Sequence, residues 1–205
     1  MYLKVKNLKM PGIAPIDFEL EKTGLYGLIG KNGIGKSTFY SILSGEISVK
    51  QGDIQVGRVS YLSAIEYFDE NLSGWDYLKL LDEAEYQKSL QMASFFGADS
   101  YLARKIGKYS FGMKQLFATI LAFSTPSDIL IIDELFNGLD VLAKSKVFQE
   151  LQKCAQEKII LYTSHNLKEI EHFCDITYLL SETGISRVAD FAQAAKEIGY
   201  IETFF

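Results

Sequence analysis

The stretch that decides the fold is Gly30-Lys31-Asn32-Gly33-Ile34-Gly35-Lys36-Ser37, which is followed by Thr38. It fits the pattern G-x-x-x-x-G-K-[S/T], in which backbone N–H groups curl around a phosphate and the lysine reaches the β- and γ-phosphates. The apolar run 24–29 before it is typical of a buried strand, and the run 38–43 after it is typical of a helix. This order predicts a nucleotide phosphate site at residues 30–38, with the Ser37 hydroxyl as a Mg²⁺ ligand.

Apolar patterns on both sides of this loop predict an α/β fold. Strands are predicted at 2–8, 16–20, 24–29, 58–62, 129–132, 159–162 and 176–180. Helices are predicted at 72–81, 86–96, 101–106, 111–123, 141–156 and 191–198. Strands and helices that alternate around a phosphate loop predict a mostly parallel sheet covered on both faces. The block from about 70 to 125 reads as a helical subdomain inserted into that core.

The composition is that of a globular chain and argues against several functions. The 205 residues carry a net charge of −5 without a long run of either sign, which argues against broad nucleic-acid binding. No apolar run is long enough to span a bilayer, and the amino terminus has no signal-peptide core. Cys154 and Cys174 lie far apart and are interpreted as reduced, packed thiols. We therefore expect a soluble chain, or one held at a membrane through a partner.

Two carboxylates follow a continuous apolar run. The run Ile129-Leu130-Ile131-Ile132 is typical of a central parallel strand, and it ends in Asp133-Glu134. The carboxyl ends of parallel strands line the ligand crevice, so both side chains are expected beside the phosphate loop. Asp133 is predicted to hold the Mg²⁺ shell, and Glu134 to polarise a water for attack on the γ-phosphorus. If the chain had no phosphate loop, Asp133 and Glu134 would be interpreted simply as polar residues at a strand end exposed to solvent.

Ser110 and His165 are candidates for two further contacts with phosphate. Ser110 stands where an N-cap residue belongs, in the segment Tyr109-Ser110-Phe111-Gly112-Met113-Lys114-Gln115. Its hydroxyl, the Gly112 N–H and the helix N-terminus would make a second surface that attracts anions. His165 follows a second buried strand and is predicted to contact the γ-phosphate. If the Ser110 segment stood alone, a plain capped helix would explain it.

The order of these motifs resembles the ATP-binding-cassette (ABC) ATPase family over essentially the whole chain. The matching segments are the phosphate loop 30–37, the signature 109–115, the strand and catalytic pair 129–134, the D-loop Asn137-Gly138-Leu139-Asp140 and the switch His165. The resemblance implies a P-loop NTPase core with a mostly parallel sheet, an N-terminal antiparallel β subdomain and an inserted helical subdomain. Within a single domain of residues 1–205, the core is expected at about 1–65 and 126–205, and the helical subdomain at about 66–125.

The resemblance also implies a mechanism and partners. Two ATPase subunits, identical or different, would stack head to tail. ATP and Mg²⁺ would lie between the phosphate loop of one subunit and Ser110, Phe111, Gly112 and Met113 of the other. The signature looks most like that of stand-alone ATPase subunits of bacterial exporters for drugs, peptides and bacteriocins, including self-immunity pumps. Such a subunit drives a membrane-spanning permease, which implies a cytoplasmic, peripheral location on the inner face of the cell membrane.

The chain departs from the family pattern at three places. Ala64 stands near the position of the usual Gln, with Glu66 as a candidate substitute. The segment 9–12, where many members place an aromatic residue against the adenine, has none. Leu135-Phe136 replaces the usual Pro-Thr and is interpreted as altered packing. Because Lys36 and the other catalytic residues are present, we predict an active ATPase. Some of the aromatic residues Tyr67, Phe68 and Trp75 are predicted to be solvent-accessible and to line a groove where the permease docks, while one or two of them would pack inside the helical subdomain.

Other functions stay open from the sequence. One is a soluble ABC-type ATPase in DNA repair, translation or cofactor assembly, although the chain lacks a long coiled coil and a second cassette. Another is a small-molecule phosphotransferase, which would leave Ser110, Gly112 and His165 without a role. A third is a regulatory nucleotide-binding subunit with weak hydrolysis, favoured by Ala64 but not by Glu134 and His165.

Overall fold

Strands and helices alternate along the chain, as an α/β fold requires. The computed structural model describes residues 2–62, 68–136 and 138–199. In that part of the chain the strands are β1 (Leu3–Leu8), β2 (Ile16–Leu20), β3 (Gly24–Ile29), β4 (Asp53–Val56), β5 (Val59–Leu62), β6 (Ile129–Asp133), β7 (Ile159–Thr163), β8 (Ile176–Ser181) and β9 (Gly184–Arg187). The helices are α1 (Lys36–Leu43), α2 (Gly74–Leu78), α3 (Glu83–Phe96), α4 (Phe111–Ser124), α5 (Val141–Cys154), α6 (Leu167–Phe173) and α7 (Phe191–Glu197).

The central sheet has the order β5-β6-β7-β3-β8-β9. β3 pairs in parallel with β7 and β8, β6 pairs in parallel with β7, and only the β8–β9 pair is antiparallel among those whose register is defined. Every residue of β3 and β7 is buried, as expected for central strands covered on both faces. The predicted α/β fold with a mostly parallel sheet is confirmed. The register sets Asp133 of β6 opposite Thr163 of β7, which brings two polar side chains to one strand end.

A second, antiparallel sheet has the order β2-β1-β4. In β2 the residues alternate between buried and exposed, so that its apolar side chains join the core and its charged ones face water. β4 was not predicted from the sequence. Its residues are at most half-buried, and it is held by pairing with β1 rather than by an apolar pattern of its own.

The chain packs as two compact units. The first consists of Met1–Tyr61, Ser127–Glu134 and Leu151–Phe205, and the second of Leu62–Pro126 and Leu135–Glu150. The chain therefore leaves the first unit twice, directly after Tyr61 and directly after Glu134. The core of the first unit joins side chains of both sheets and α1, among them Val5, Phe18, Leu28, Phe39 and Leu161.

The second unit is mainly helical and packs around aromatic rings. Phe68, Tyr77, Tyr109 and Phe117 form a chain of ring contacts with centroids 5.2–6.1 Å apart. Ser73 begins α2 as an N-cap, with its hydroxyl accepting from the backbone N–H of Asp76.

The helix predicted at 101–106 is wrong. Ile106 donates its backbone N–H to the Leu72 carbonyl at 2.7 Å, and the Trp75 N–H donates to the Leu102 carbonyl at 3.2 Å. Lys105 forms an isolated bridge with Ser73. Since these backbone groups are bonded to residues 72–75, around the start of α2, they are not available for helical i→i−4 bonds, and the apolar side chains are buried without a helix.

Two short elements near the C-terminus lie outside the sequence prediction. α6 has seven residues and is begun by Asn166, whose side chain accepts from the Lys168 N–H at 3.2 Å. β9 pairs with β8 through a turn that ends at Gly184, where φ is +109° and only glycine is unstrained. Among the described residues, no helix is both long and apolar enough to cross a bilayer.

Candidate functional site

The phosphate loop connects β3 to α1 and depends on glycine at three positions. Gly33 and Gly35 have φ of +79° and +108°, in the left-handed region that favours glycine. At Gly30 a Cβ would lie only 2.6 Å from the Leu180 carbonyl oxygen, so this position also excludes a side chain. Gly35 begins α1 without a side-chain cap, and the first turn contains no acidic residue. The N–H groups at this helix end thus present partial positive charge to an anion.

Lys36 folds back over the loop. Its ammonium donates to the carbonyl of Gly30 at 2.8 Å and to that of Lys31 at 3.2 Å. Burial lowers the pKa of Lys36, and the nearby carboxylates of Glu134 and Asp133 act in the opposite direction. The charge is therefore held inside the loop by carbonyl oxygens, where a phosphate can replace them as its partner.

Asp133 lies at the centre of a group of hydroxyls. Ser37 Oγ donates to Asp133 Oδ2 at 2.6 Å, and Thr163 Oγ1 donates to Asp133 Oδ1 at 2.6 Å. Tyr61 OH donates to Oδ2 at 3.3 Å. Burial, followed by the charge of Asp133, raises the pKa of the Tyr61 phenol, which keeps it a neutral donor at neutral pH. The structure thus brings the two predicted metal ligands, Ser37 and Asp133, into direct contact.

Glu134 and His165, the predicted catalytic residues, also meet. Glu134 Oε2 lies 2.5 Å from His165 Nε2, and both side chains are partly open to solvent. Glu134 has a φ of +55°, which is unusual for a residue with a side chain. Its backbone N–H donates to the Thr163 carbonyl at 3.2 Å, so this conformation is fixed by the neighbouring strand. Strain held in this way is common at functional positions.

A second network orients the segment that carries His165. Glu169 of α6 accepts hydrogen bonds at 2.9 Å from the hydroxyls of Tyr162 and Ser164. The Asn166 side chain also donates to Glu169, at 3.2 Å. Glu169 was not identified from the sequence, because an isolated glutamate on a short helix gives no motif.

A cavity of about 220 Å³ opens beside these residues. It is lined by Gly30, Asn32, Lys36, Glu134, Ser164 and His165, together with apolar residues of β3, α6 and the end of α7. Cationic, carboxylate and imidazole groups thus face one space next to the phosphate loop. That arrangement suits the terminal phosphate of a nucleotide and an attacking water.

The second unit contains the signature segment. Ser110 is exposed and caps α4, with its hydroxyl accepting from the Met113 N–H at 3.2 Å. The ring of Phe111 is 60% exposed. Gln115 is buried, and its side-chain oxygen accepts from the Gly138 N–H at 2.8 Å. This bond ties the signature helix to the D-loop.

Gly138 and Asp140 show why the D-loop has its sequence. A Cβ at Gly138 would overlap the Phe111 ring, so the close approach requires glycine. Asp140 Oδ1 accepts from the Ala143 N–H at 2.8 Å and so caps α5. Asn137 lies outside the described residues.

Comparison with known proteins identifies the family of this chain. Residues 13–137, more than half of the chain, match the family described as ABC transporter. The chain belongs to this family. It is 30% identical to an uncharacterized ABC transporter ATP-binding protein of Methanocaldococcus jannaschii, over 98% of this chain and 82% of that protein.

Two further matches are a relative named for its transport function and a solved structure. The lantibiotic transport ATP-binding protein SrtF of Streptococcus pyogenes is 27% identical over 88% of this chain and 87% of its own length. A solved structure described as the ATP binding subunit of an ABC transporter superposes with a TM-score of 0.84 at 25% identity, covering 98% of this chain and 94% of that one. As an ABC ATPase, the chain is a nucleotide-binding protein of the P-loop fold.

Some residues that depart from the ABC pattern are packed in the structure, and others lie outside the described residues. Leu135 and Phe136 are buried, and Phe136 contacts Phe148 with ring centroids 6.0 Å apart, so the second unit uses both as core residues. Met10 is also buried, with its terminal methyl 3.1 Å from where a Cβ of Gly35 would lie. The Met10 side chain therefore packs against the phosphate loop at Gly35. Ala64 and Glu66, with the question of the missing Gln, lie outside the described residues.

Proposed function

We propose that this chain hydrolyses ATP with Mg²⁺ and that hydrolysis drives a separate membrane-spanning exporter. The observation that carries the hydrolysis is the contact between Glu134 and His165 beside Lys36, within one cavity at the phosphate loop. A carboxylate, an imidazole and an ammonium are the groups needed to orient a water, contact a γ-phosphate and balance its charge.

The attacking water is assigned to Glu134. His165 holds Oε2, so Oε1 is the oxygen that we assign to the proton of the water. Glu134 has a left-handed backbone, and its side chain lines the cavity beside Lys36. We assign to His165 the contact with the γ-phosphate oxygens, and to Lys36 the charge on the β- and γ-phosphates.

The oxygen donors present fit Mg²⁺. Among the described residues no cluster of three His, Cys, Asp or Glu side chains could hold a metal ion, which argues against a metal site made of protein alone. One hydroxyl and one carboxylate in contact, Ser37 and Asp133, match the way Mg²⁺ is held through one or two protein oxygens plus phosphates and water. Bound there, Mg²⁺ would offset negative charge on the phosphates.

The proposed partners are a permease and a second ATPase subunit, which is either a copy of this chain or a related one. The names of the relatives support an exporter: SrtF is named for lantibiotic transport. We assign the second nucleotide contact to Ser110, Phe111, Gly112 and Met113, since Ser110 and Phe111 are exposed at the start of α4. Held by a permease, the chain would be a cytoplasmic, peripheral protein of the inner membrane face.

The permease is proposed to dock on the second unit, where Phe68 and Trp75 are half-buried rather than fully buried. Phe68 uses one side of its ring against Tyr77 and Phe117, at 5.2 and 5.5 Å between centroids. Trp75 is the better test residue, because it can be truncated without opening that ring cluster. Tyr67, the third residue of the predicted docking site, lies outside the described residues.

The test of hydrolysis is phosphate release by the purified chain with ATP and Mg²⁺, with Lys36→Ala as the control. Lys36→Ala removes a charge from the phosphates and is expected to weaken ATP binding at least tenfold, measured by calorimetry, with loss of turnover. Equal ATP affinity for variant and wild type would contradict the assignment.

Coupling to export is tested separately. The chain is reconstituted with each polytopic membrane protein that a gene beside its own encodes, and ATP hydrolysis is compared with and without that protein. Hydrolysis that the membrane protein stimulates, and that Trp75→Ala uncouples, supports the exporter. An isolated ATPase that no neighbouring membrane protein binds would favour a function outside transport.

A further inference from the structure

Tyr61, one residue before the end of β5, carries a hydroxyl that contacts Asp133, a residue proposed to hold the metal. That hydroxyl donates to Asp133 Oδ2 at 3.3 Å, the same oxygen that accepts from Ser37. Thr163 holds the other oxygen, Oδ1, at 2.6 Å. The carboxylate of Asp133 is thus surrounded by three hydroxyl donors, of which Ser37 is the one assigned to the metal.

The ring of Tyr61 is fixed by the core. It packs against the ring of Tyr40, with 5.8 Å between centroids, and belongs to the half-buried apolar residues around the core of the first unit. A hydroxyl on a ring held in this way costs little conformational entropy when it donates a hydrogen bond.

A carboxylate held at one oxygen can still rotate about its Cβ–Cγ bond. Thr163 alone therefore does not fix the plane of the Asp133 carboxylate. Ser37 would not fix it reliably either, because its oxygen is proposed to bind the metal as well. A second donor that never binds the metal removes this rotation. Partners of this kind, one shell outside the metal ligands, tune metal affinity strongly.

We propose that Tyr61 is a positioning residue that fixes the Asp133 carboxylate for Mg²⁺. This inference rests on the proposed function. It extends the site to a residue of β5 that no motif contains, and it gives the Tyr61 hydroxyl a role beyond packing.

The test is Mn²⁺ binding to the ADP-loaded protein, followed by electron paramagnetic resonance, for wild type and Tyr61→Phe. The variant is expected to bind Mn²⁺ about tenfold more weakly. Its affinity for ADP in EDTA is expected to stay within about twofold of wild type, because Tyr61 bonds the metal ligand and not the phosphate loop. Turnover should return toward the wild-type rate as Mg²⁺ is raised.

Tyr40→Phe is the matched control. It deletes the same hydroxyl from the neighbouring buried ring, and among the described residues the hydroxyls that donate to Asp133 are those of Ser37, Tyr61 and Thr163, not that of Tyr40. Tyr40→Phe is therefore expected to bind Mn²⁺ with wild-type affinity.

The inference would be overturned if Tyr61→Phe bound Mn²⁺ with wild-type affinity, or if Tyr61→Phe and Tyr40→Phe weakened Mn²⁺ binding equally. It would also be overturned if Tyr61→Phe failed to fold, because the hydroxyl would then have a structural role. The proposed function fails in a different way. A wild-type chain whose nucleotide binding does not respond to any divalent cation would contradict the Mg²⁺ site itself.

Discussion

Glu134 combines an unusual backbone with the side chain proposed to activate water. Its φ of +55° is kept by the hydrogen bond of its N–H to Thr163. Glu134→Gln preserves size and backbone but removes the negative charge that accepts a proton from water. We expect turnover to fall at least 100-fold while ATP affinity stays within a few-fold of wild type. The measurement is phosphate release together with calorimetric ATP binding.

A variant that still turns over at near the wild-type rate would show that another group activates the water. Glu134→Asp is a useful companion, because it keeps the charge but withdraws it by one methylene. The turnover rate of Glu134→Asp should lie between those of wild type and Glu134→Gln.

The reactivity of the Cys174 thiol reports how strongly burial disfavours its charged form. Burial, with the charge of Asp175, raises the pKa of its thiol to about 12. At pH 8 the thiolate fraction is then on the order of 10⁻⁴, against roughly a tenth or more for an ordinary thiol. We expect alkylation of Cys174 by iodoacetamide at pH 8 to be at least 100-fold slower in the native chain than in urea, and to accelerate as pH rises. Peptide mass spectrometry separates Cys174 from Cys154, and equal native and unfolded rates would contradict the pKa direction.

Between α4 and α5, one glycine sets the distance of the D-loop from the signature helix. Gly138→Ala introduces a methyl group that would overlap the Phe111 ring and approach the Gln115 oxygen. We expect a loss of about 1–3 kcal/mol in the free energy of unfolding, the range for overpacking. The measurement is urea denaturation.

Phe111→Ala gives the control for that prediction. The Phe111 ring is 60% exposed, so its truncation alone should cost little. In the double variant the methyl group no longer overlaps the ring but still lies close to the Gln115 oxygen, so part of the lost stability should return. Strictly additive effects of the two substitutions would mean that Gly138 is required for a reason other than this contact.

The elements that the sequence predicted well are those with a continuous apolar run. β3, β6 and β7 are buried on both faces, so every residue contributes to the pattern. β4 was missed because it is an edge strand that its partner holds, and the segment 101–106 was misassigned because apolar content alone does not distinguish a helix from a buried loop. The helix at α6 depends on one capping residue, Asn166, rather than on periodicity.

The site shows the same division. The phosphate loop and the carboxylates at the end of β6 could be predicted because each chemical role needs a residue type at a fixed spacing. Tyr61 and Glu169 could not. A tyrosine fits any strand pattern, and only coordinates reveal that its hydroxyl reaches Asp133.

For the whole chain, the nucleotide is proposed to hold two ATPase subunits together. Ser110 and Phe111 are exposed, so in the free chain they cover no core. Because most of the contact would pass through ATP, we expect Glu134→Gln to be monomeric without nucleotide and dimeric with ATP and Mg²⁺. Light scattering coupled to size exclusion measures the mass of each state.

Lys36→Ala in the same background is the control, since it should stay monomeric with ATP present. A stable dimer in the absence of nucleotide would count against the nucleotide-mediated model. Failure of Glu134→Gln to dimerise with ATP would instead point to a second subunit of different sequence.

The chain leaves the first unit directly after two residues of the proposed site. Both exits come directly after residues with proposed roles at the metal and water sites, Tyr61 and Glu134. A peptide link is planar and nearly inextensible, so a displacement of the following residue passes to the φ and ψ of the preceding one. Glu134 already has a strained φ and little freedom to absorb such a change. Leu62 and Leu135, the first residues of the second unit at these exits, are therefore one peptide bond away from the residues proposed to act on the metal and on the water.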